Sequence, residues 1–222
     1  MSSPDRGRLD WALLALSAVA LSLLAQLLPR ELLQWERARA WIEPWRWWTA
    51  GFVHHGPAHL WMNIAACVVT GLFGHRAAQA CGEDKDEDKA AAARLARRWA
   101  GCWLLAWPLT HLGLLAWPQL DPLAHYGGLS GVLHAGVGVV CVGLLVNART
   151  RWPRLVGALV LAGLAAKIVL EEPLGPAVRP LPGWEVGVVP LAHATGALAG
   201  LIVALLAEGL ARRRRPGTTM AG

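Results

Sequence analysis

The sequence predicts an all-α membrane protein: a six-transmembrane-helix bundle with both termini cytoplasmic. Three observations predict it. Hydrophobic residues make up 55% of the 222 residues and charged residues only 16%, and the charges are clustered rather than interspersed as in a soluble domain. Six apolar stretches reach or approach the roughly 20 residues needed to span a bilayer, at 11–28, 52–74, 99–117, 128–147, 154–172 and 189–208. With the amino terminus inside, fifteen Lys and Arg fall on inner segments and five (Arg30, Arg37, Arg39, Arg46, Arg179) on outer ones. Such an excess marks the cytoplasmic face. The net charge of +6 is therefore a topology signal, and no nucleic-acid partner is expected. Residues 11–208 form one membrane domain between short tails at 1–10 and 209–222, with no room for a separate soluble domain.

The first stretch follows Arg6 and Arg8, as a signal peptide would. Its apolar run is longer than a typical cleavable core, and Pro29-Arg30-Glu31 is a poor cleavage site, so it is read as helix one. Residues 29–48 are too polar to span. Their tryptophans (Trp35, Trp41, Trp45, Trp47, Trp48) suit the outer headgroup region, where a ring with a polar handle is stable. The mixed charge run at 83–89 reads as a solvated linker into a short helix, 90–98. In helix three, Trp99, Trp103 and Trp107 stand four apart and form one stripe, for packing or lipid contact rather than for a cofactor. Gly127/Gly131 and Gly196/Gly200 have the small-xxx-small spacing that lets helices approach closely in lipid. Arg212-Arg213-Arg214-Arg215 after helix six is expected to anchor that end to anionic lipid. Cys67, Cys102 and Cys141 fall within helices and Cys81 in an inner loop, so no disulfide framework is implied.

Crossings alternate, so helices two, four and six all begin at the outer face. Each beginning carries polar groups: His54, His55, His59 and Asn63 on two, Ser130 on four, His193 on six. Polar side chains inside a bilayer are costly and face the bundle interior or a wet cavity, so three segments aim hydrogen-bonding groups at one outward cavity. Ser130 is a weak nucleophile until a base takes its proton, and neutral His193 can act as that base. No third acidic residue is expected at the site, because Asp121 sits in a loop and Glu171 and Glu172 end helix five. The expectation is a Ser–His dyad whose histidine is oriented by packing. His59 and Asn63 lie four apart on one helical face and can present N–H donors to an oxyanion. The Ser130 N–H, in the first helical turn, adds a third. His134, one turn deeper than Ser130, takes a supporting role, and Lys167 and Glu171 form a structural pair.

These residues, in this order, resemble the rhomboid intramembrane serine proteases. Trp45-Arg46 is similar to the family's first-loop element. His54 with His59-x-x-x-Asn63 is similar to its helix-two pattern, Gly128-Leu129-Ser130-Gly131 to its Gly-x-Ser-Gly, and His193-x-x-Gly196-x-x-x-Gly200 to its helix-six pattern. The resemblance covers about residues 41 to 205. It implies a Ser130–His193 dyad, oxyanion stabilisation by His59, Asn63 and the Ser130 backbone, and a cavity open to the extracytoplasmic side. It also implies that His54, Gly128, Leu129, Gly131 and His134 shape or support the substrate site. The short six-helix form, Gly128 to His134, and Lys167-x-x-x-Glu171 resemble rhombosortases. That subgroup implies a bacterial inner-membrane enzyme acting on membrane-anchored proteins with a carboxy-terminal segment of small residues, an apolar helix and a basic end. One departure is visible: many rhomboids carry a glutamate near the inner end of helix two, where this chain has Gly74-His75-Arg76.

Two other classes compete. A non-catalytic rhomboid-like protein would bind client helices, and its signature would be loss of Ser130 or His193, both of which are present. A metal or haem protein could use His54, His55, His59, His125 and His193. However, His55-Gly56-Pro57-Ala58-His59 lacks the glutamate that a zinc hydrolase needs after the first histidine. No cofactor or metal is expected; the expected partners are the bilayer and a membrane-anchored protein substrate.

Overall fold

A computed structural model of the chain describes residues 6–82, 86–115, 123–184 and 186–213. Lys85, Asp121, Arg214, Arg215, residues 116–117 and the first part of the 83–89 charge run lie outside them. Six long helices run through the described residues: α1 (Arg6–Leu24), α2 (Pro57–Cys81), α3 (Asp86–Gly113), α4 (Ser130–Asn147), α5 (Arg151–Leu170) and α6 (Pro190–Arg213). Each coincides with one predicted stretch. The ends differ by a few residues, except that the expected short helix 90–98 is continuous with α3. Proline opens α2 and α6, where its fixed φ suits the first turn and its missing N–H leaves nothing unsatisfied.

Four helices, α2, α4, α5 and α6, are long and apolar enough to cross a membrane. The apolar helical stretch Trp11–Leu27, which runs from α1 into the 3-10 turn Ala25–Leu27, is shorter, and α3 begins with charged turns. Leu16, Val69, Leu105, Leu159 and Leu206 all point outward and are exposed. In water such a belt would cost tens of kcal/mol at about 25 cal/mol per Å²; against lipid it costs nothing. The architecture is that of an all-α membrane protein.

Helix α4 is the axis of the bundle. It packs on α2, α3, α5 and α6, and 67% of its length is buried against 11% for α5. The interior is built from small residues and indoles. A Cβ on Gly196 would lie 2.0 Å from the Gly131 carbonyl oxygen, and one on Gly200 2.2 Å from that of Ala135. The predicted Gly196/Gly200 pair thus lets α6 meet α4 backbone to backbone. Its counterpart on α4 is Gly131/Ala135, because Gly127 precedes the helix. The tryptophan stripe of α3 packs inward rather than on lipid. Trp99 fills the space beside Gly143, Trp103 that beside Gly136 and Trp107 that beside Gly51. Each indole N–H has an acceptor, such as Val132 O at 2.7 Å from Trp103 Nε1. Trp11 of α1 seats likewise beside Gly74 and donates to Gly71 O at 3.0 Å.

The 29–52 segment folds over one end of the bundle. Trp41 and Trp45 are exposed, but Trp35, expected with them at the headgroups, is wholly buried. Arg46 explains the compactness: nearly inaccessible, it donates to Glu31 O and Gln34 O at 2.7 Å each and pairs with Glu43. A two-residue antiparallel ladder, β1 (Trp35–Glu36) with β2 (His125–Tyr126), ties this cap to the strand that leads into Ser130. At the opposite end, Glu208 of α6 is buried and accepts from Arg98 Nη2 at 2.6 Å and Trp99 Nε1 at 3.3 Å. It supplies from α6 a buried acidic anchor at the end where the sequence of α2 has none.

Candidate active site

The beginnings of α2, α4 and α6 converge on one cavity of about 750 Å³, whose walls include His59, Asn63, Ser130, His134 and His193. The approach to α4 fixes the serine. Gly128 has φ +141, a conformation closed to most side chains, and a Cβ there would sit 2.9 Å from His59 Nε2. Its N–H donates to Ala50 O at 3.0 Å, and its carbonyl accepts from the Tyr126 hydroxyl at 3.1 Å. The loop is therefore clamped from both sides, and Ser130 emerges as the first residue of α4.

His193 lies in the first turn of α6 and is buried. Its Nε2 is 2.9 Å from Ser130 Oγ. On the other side of the ring, Nδ1 is 2.7 Å from Glu171 Oε2. Glu171 follows the last residue of α5, and Glu172, at φ +48, turns the chain back so that the carboxylate lies beside α6. The expectation that no acid reaches the site is thus corrected: the arrangement is Ser130–His193–Glu171. A carboxylate can only accept, so Nδ1 carries the proton and Nε2 offers its lone pair to the serine. Burial alone would raise the Glu171 carboxyl, but hydrogen bonds from His193 and Lys167, with their charges, hold it down to about 2.

Two neighbours refine this alignment. Lys167, one turn back on α5, pairs with the other oxygen of Glu171, so the expected Lys167–Glu171 pair exists but belongs to the site. His134 stacks on His193, with ring centroids 4.2 Å apart and planes 11° from parallel, and its Nδ1–H donates to Ser130 O at 2.7 Å. The His193 imidazole is held by a ring on its face and a carboxylate at its edge, not by packing alone.

His59 and Asn63 both line the cavity. Asn63 Nδ2 donates one hydrogen to His59 O at 2.9 Å and keeps a second. His59 Nδ1 is buried without a hydrogen-bond partner among the described residues. His54 does not face the cavity. It donates from Nδ1 to Phe52 O at 3.1 Å and braces His59 edge-on at 4.9 Å. Burial, then the neighbouring His59, push its imidazole down to about 4, so it is neutral near pH 7. Leu129 and Gly131 also turn away, Leu129 into the core and Gly131 against Ala192 O and Thr110.

Sequence reasoning missed Glu171 as the histidine's partner. It also missed Tyr126, which is buried and whose hydroxyl burial keeps protonated, and the outer wall formed by Val178, Leu181, Trp184 and Val188. Tyr126 is the only tyrosine in the chain and stands two residues before Gly128, the one signal that could have drawn attention to it. Among the described residues no group of three or more His, Cys, Asp or Glu side chains is arranged to hold a metal ion. Chemically, the arrangement can activate a hydroxyl and present N–H donors beside it. No protein-family model matches this chain, and comparison with curated proteins finds no match.

Proposed function

We propose that the protein is a rhomboid-type intramembrane serine endopeptidase with six spans and cytoplasmic termini, its cavity opening to the periplasmic side of a bacterial inner membrane. The observation that carries this reading is the Ser130 Oγ–His193 Nε2 contact of 2.9 Å backed by Glu171 at 2.7 Å. His193 Nε2 takes the Ser130 proton as Oγ bonds to the scissile carbonyl carbon, and the carbonyl electrons move onto oxygen. The free Asn63 N–H, His59 and the Ser130 N–H are the donors at hand for that oxyanion, each worth about 3 kcal/mol of transition-state stabilisation. The oxyanion collapses, the C–N bond breaks, and the imidazolium gives its proton to the leaving amine. Water, deprotonated by the same imidazole, then hydrolyses the acyl ester and restores Ser130.

A helical substrate hides its carbonyls in hydrogen bonds, so it must unwind before attack. Glycine and other small, flexible residues lower that cost. This favours the small-residue, apolar-helix, basic-end segments of rhombosortase substrates. Reconstitution into liposomes with a membrane-anchored substrate of that design, with product followed by mass spectrometry, tests the reading. Wild type is expected to release the outer fragment and Ser130→Ala to release none. Equal release by both would end the proposal of serine catalysis.

A further inference from the structure

At the end of the bundle away from Ser130, a second cavity of about 640 Å³ opens between α3, α6 and the α4–α5 connection. Five arginines from four segments line it: Arg94 and Arg98 of α3, Arg149 of the connection, Arg154 of α5 and Arg212 of α6. One carboxylate, Glu208, shares the described wall; it is buried and bound by both Nε and Nη2 of Arg98, at 3.0 and 2.7 Å to Oε1. The remaining guanidinium charge is therefore not balanced by that acid.

The last turn of α4 and the residue that follows it hold three of these side chains in place. Arg212 Nη2 donates to Val146 O at 3.3 Å, Arg154 Nε to Ala148 O at 2.9 Å, and Arg98 Nη2 to Asn147 Oδ1 at 3.2 Å. A guanidinium has five N–H donors, and these bonds use one each on Arg154 and Arg212. Arg154 and Arg212 thus have N–H donors beyond these bonds, and an anion in the cavity would be placed to accept from them. The planar fork matches the oxygens of a phosphate group better than any other common anion except a carboxylate. The position matters too. The wall is made where α4 ends and α5 begins, at the margin of two bilayer-length helices, the depth at which lipid headgroups lie. Basic pockets between membrane helices at that depth take phospholipid heads.

We propose that this cavity binds an anionic phosphate group, that of an anionic phospholipid headgroup or of a free phosphate. The inference does not depend on the catalytic reading. The full chain, purified in phosphatidylcholine nanodiscs, is titrated with phosphatidylglycerol and separately with inorganic phosphate. Binding is read as a saturable rise in Tm and as lipid retained in native mass spectra. A retained phosphatidylglycerol, with affinity about 30-fold weaker in R94Q/R154Q at roughly 1 kcal/mol per basic residue, supports a lipid source. R94K/R154K, which keeps charge but loses the fork, should fall between. A Tm rise with phosphate alone, lost in the same variant, supports the site with a soluble source. Should R94Q/R154Q fail to fold, R94Q alone carries the test, since Arg94 is exposed on α3; it should bind about 5-fold more weakly. Neither ligand binding above the phosphatidylcholine background, or a variant binding as tightly as wild type, would overturn the proposal.

Discussion

The most discriminating perturbation of the catalytic reading is Glu171→Gln, because Lys167 decides how the new amide turns. In the wild type, one carboxylate oxygen accepts from His193 Nδ1–H at 2.7 Å and the other pairs with Lys167. A glutamine has only one oxygen to offer. The Lys167 ammonium, a pure donor, claims that oxygen and turns the amide NH2 toward His193. An NH2 facing Nδ1 forces that nitrogen to accept, which moves the ring proton to Nε2 and removes the lone pair that takes the serine proton. Trapping the wrong tautomer in a buried serine triad costs about 10⁴ in kcat. Glu171 is 23% exposed, so water can supply part of the lost interaction, and about 10³-fold, or ~4 kcal/mol, is the expectation here. In K167M/E171Q the competing ammonium is gone and the amide can return its oxygen to Nδ1–H. The double variant should be about tenfold faster than E171Q. Single-turnover cleavage in liposomes measures both values, and the double-mutant cycle isolates the coupling. E171Q within threefold of wild type, or K167M/E171Q no faster than E171Q, would refute the account of Glu171 and Lys167.

Other outcomes follow from the same geometry. Asn63→Ala should lower kcat by about 10²-fold with little change in KM, since the amide is needed at the oxyanion; a pure KM effect would place Asn63 in substrate binding instead. Gly196→Ala sets a Cβ 2.0 Å from Gly131 O and should lower stability by at least ~3 kcal/mol. Gly209→Ala, with nothing within 4 Å, should be neutral or gain up to about 1 kcal/mol from helix propensity, both read from Tm in one detergent. The low Glu171 pKa has a definite sign. Its stabilisation is present above the unfolded carboxyl value near 4.3 and is lost as pH falls toward about 2. Wild type should therefore lose more Tm than E171Q between pH 5 and 2.5.

The six helices were legible because apolar length is a local property that needs no partner. The small-residue seam was legible too, since Gly196 and Gly200 advertise close approach in any context. Ser130 and His193 could be paired because alternating crossings convert order along the chain into sidedness. Glu171 could not be assigned to them in this way. Its i,i+4 contact with Lys167 explains both residues locally, and only the reversal at Glu172 brings the carboxylate to the next helix. The burial of Trp35 was hidden for a similar reason. It depends on Arg46 gathering carbonyls from twelve and fifteen residues earlier, a long-range arrangement with no periodic trace.

The seam between α4 and α6 has a mechanical consequence. Ser130 and His193 ride on two rods that touch main chain to main chain, at Gly131 and Gly196 and again at Ala135 and Gly200. Side-chain repacking elsewhere, or a thicker or thinner bilayer, must be absorbed by other joints of the bundle before it can change that spacing.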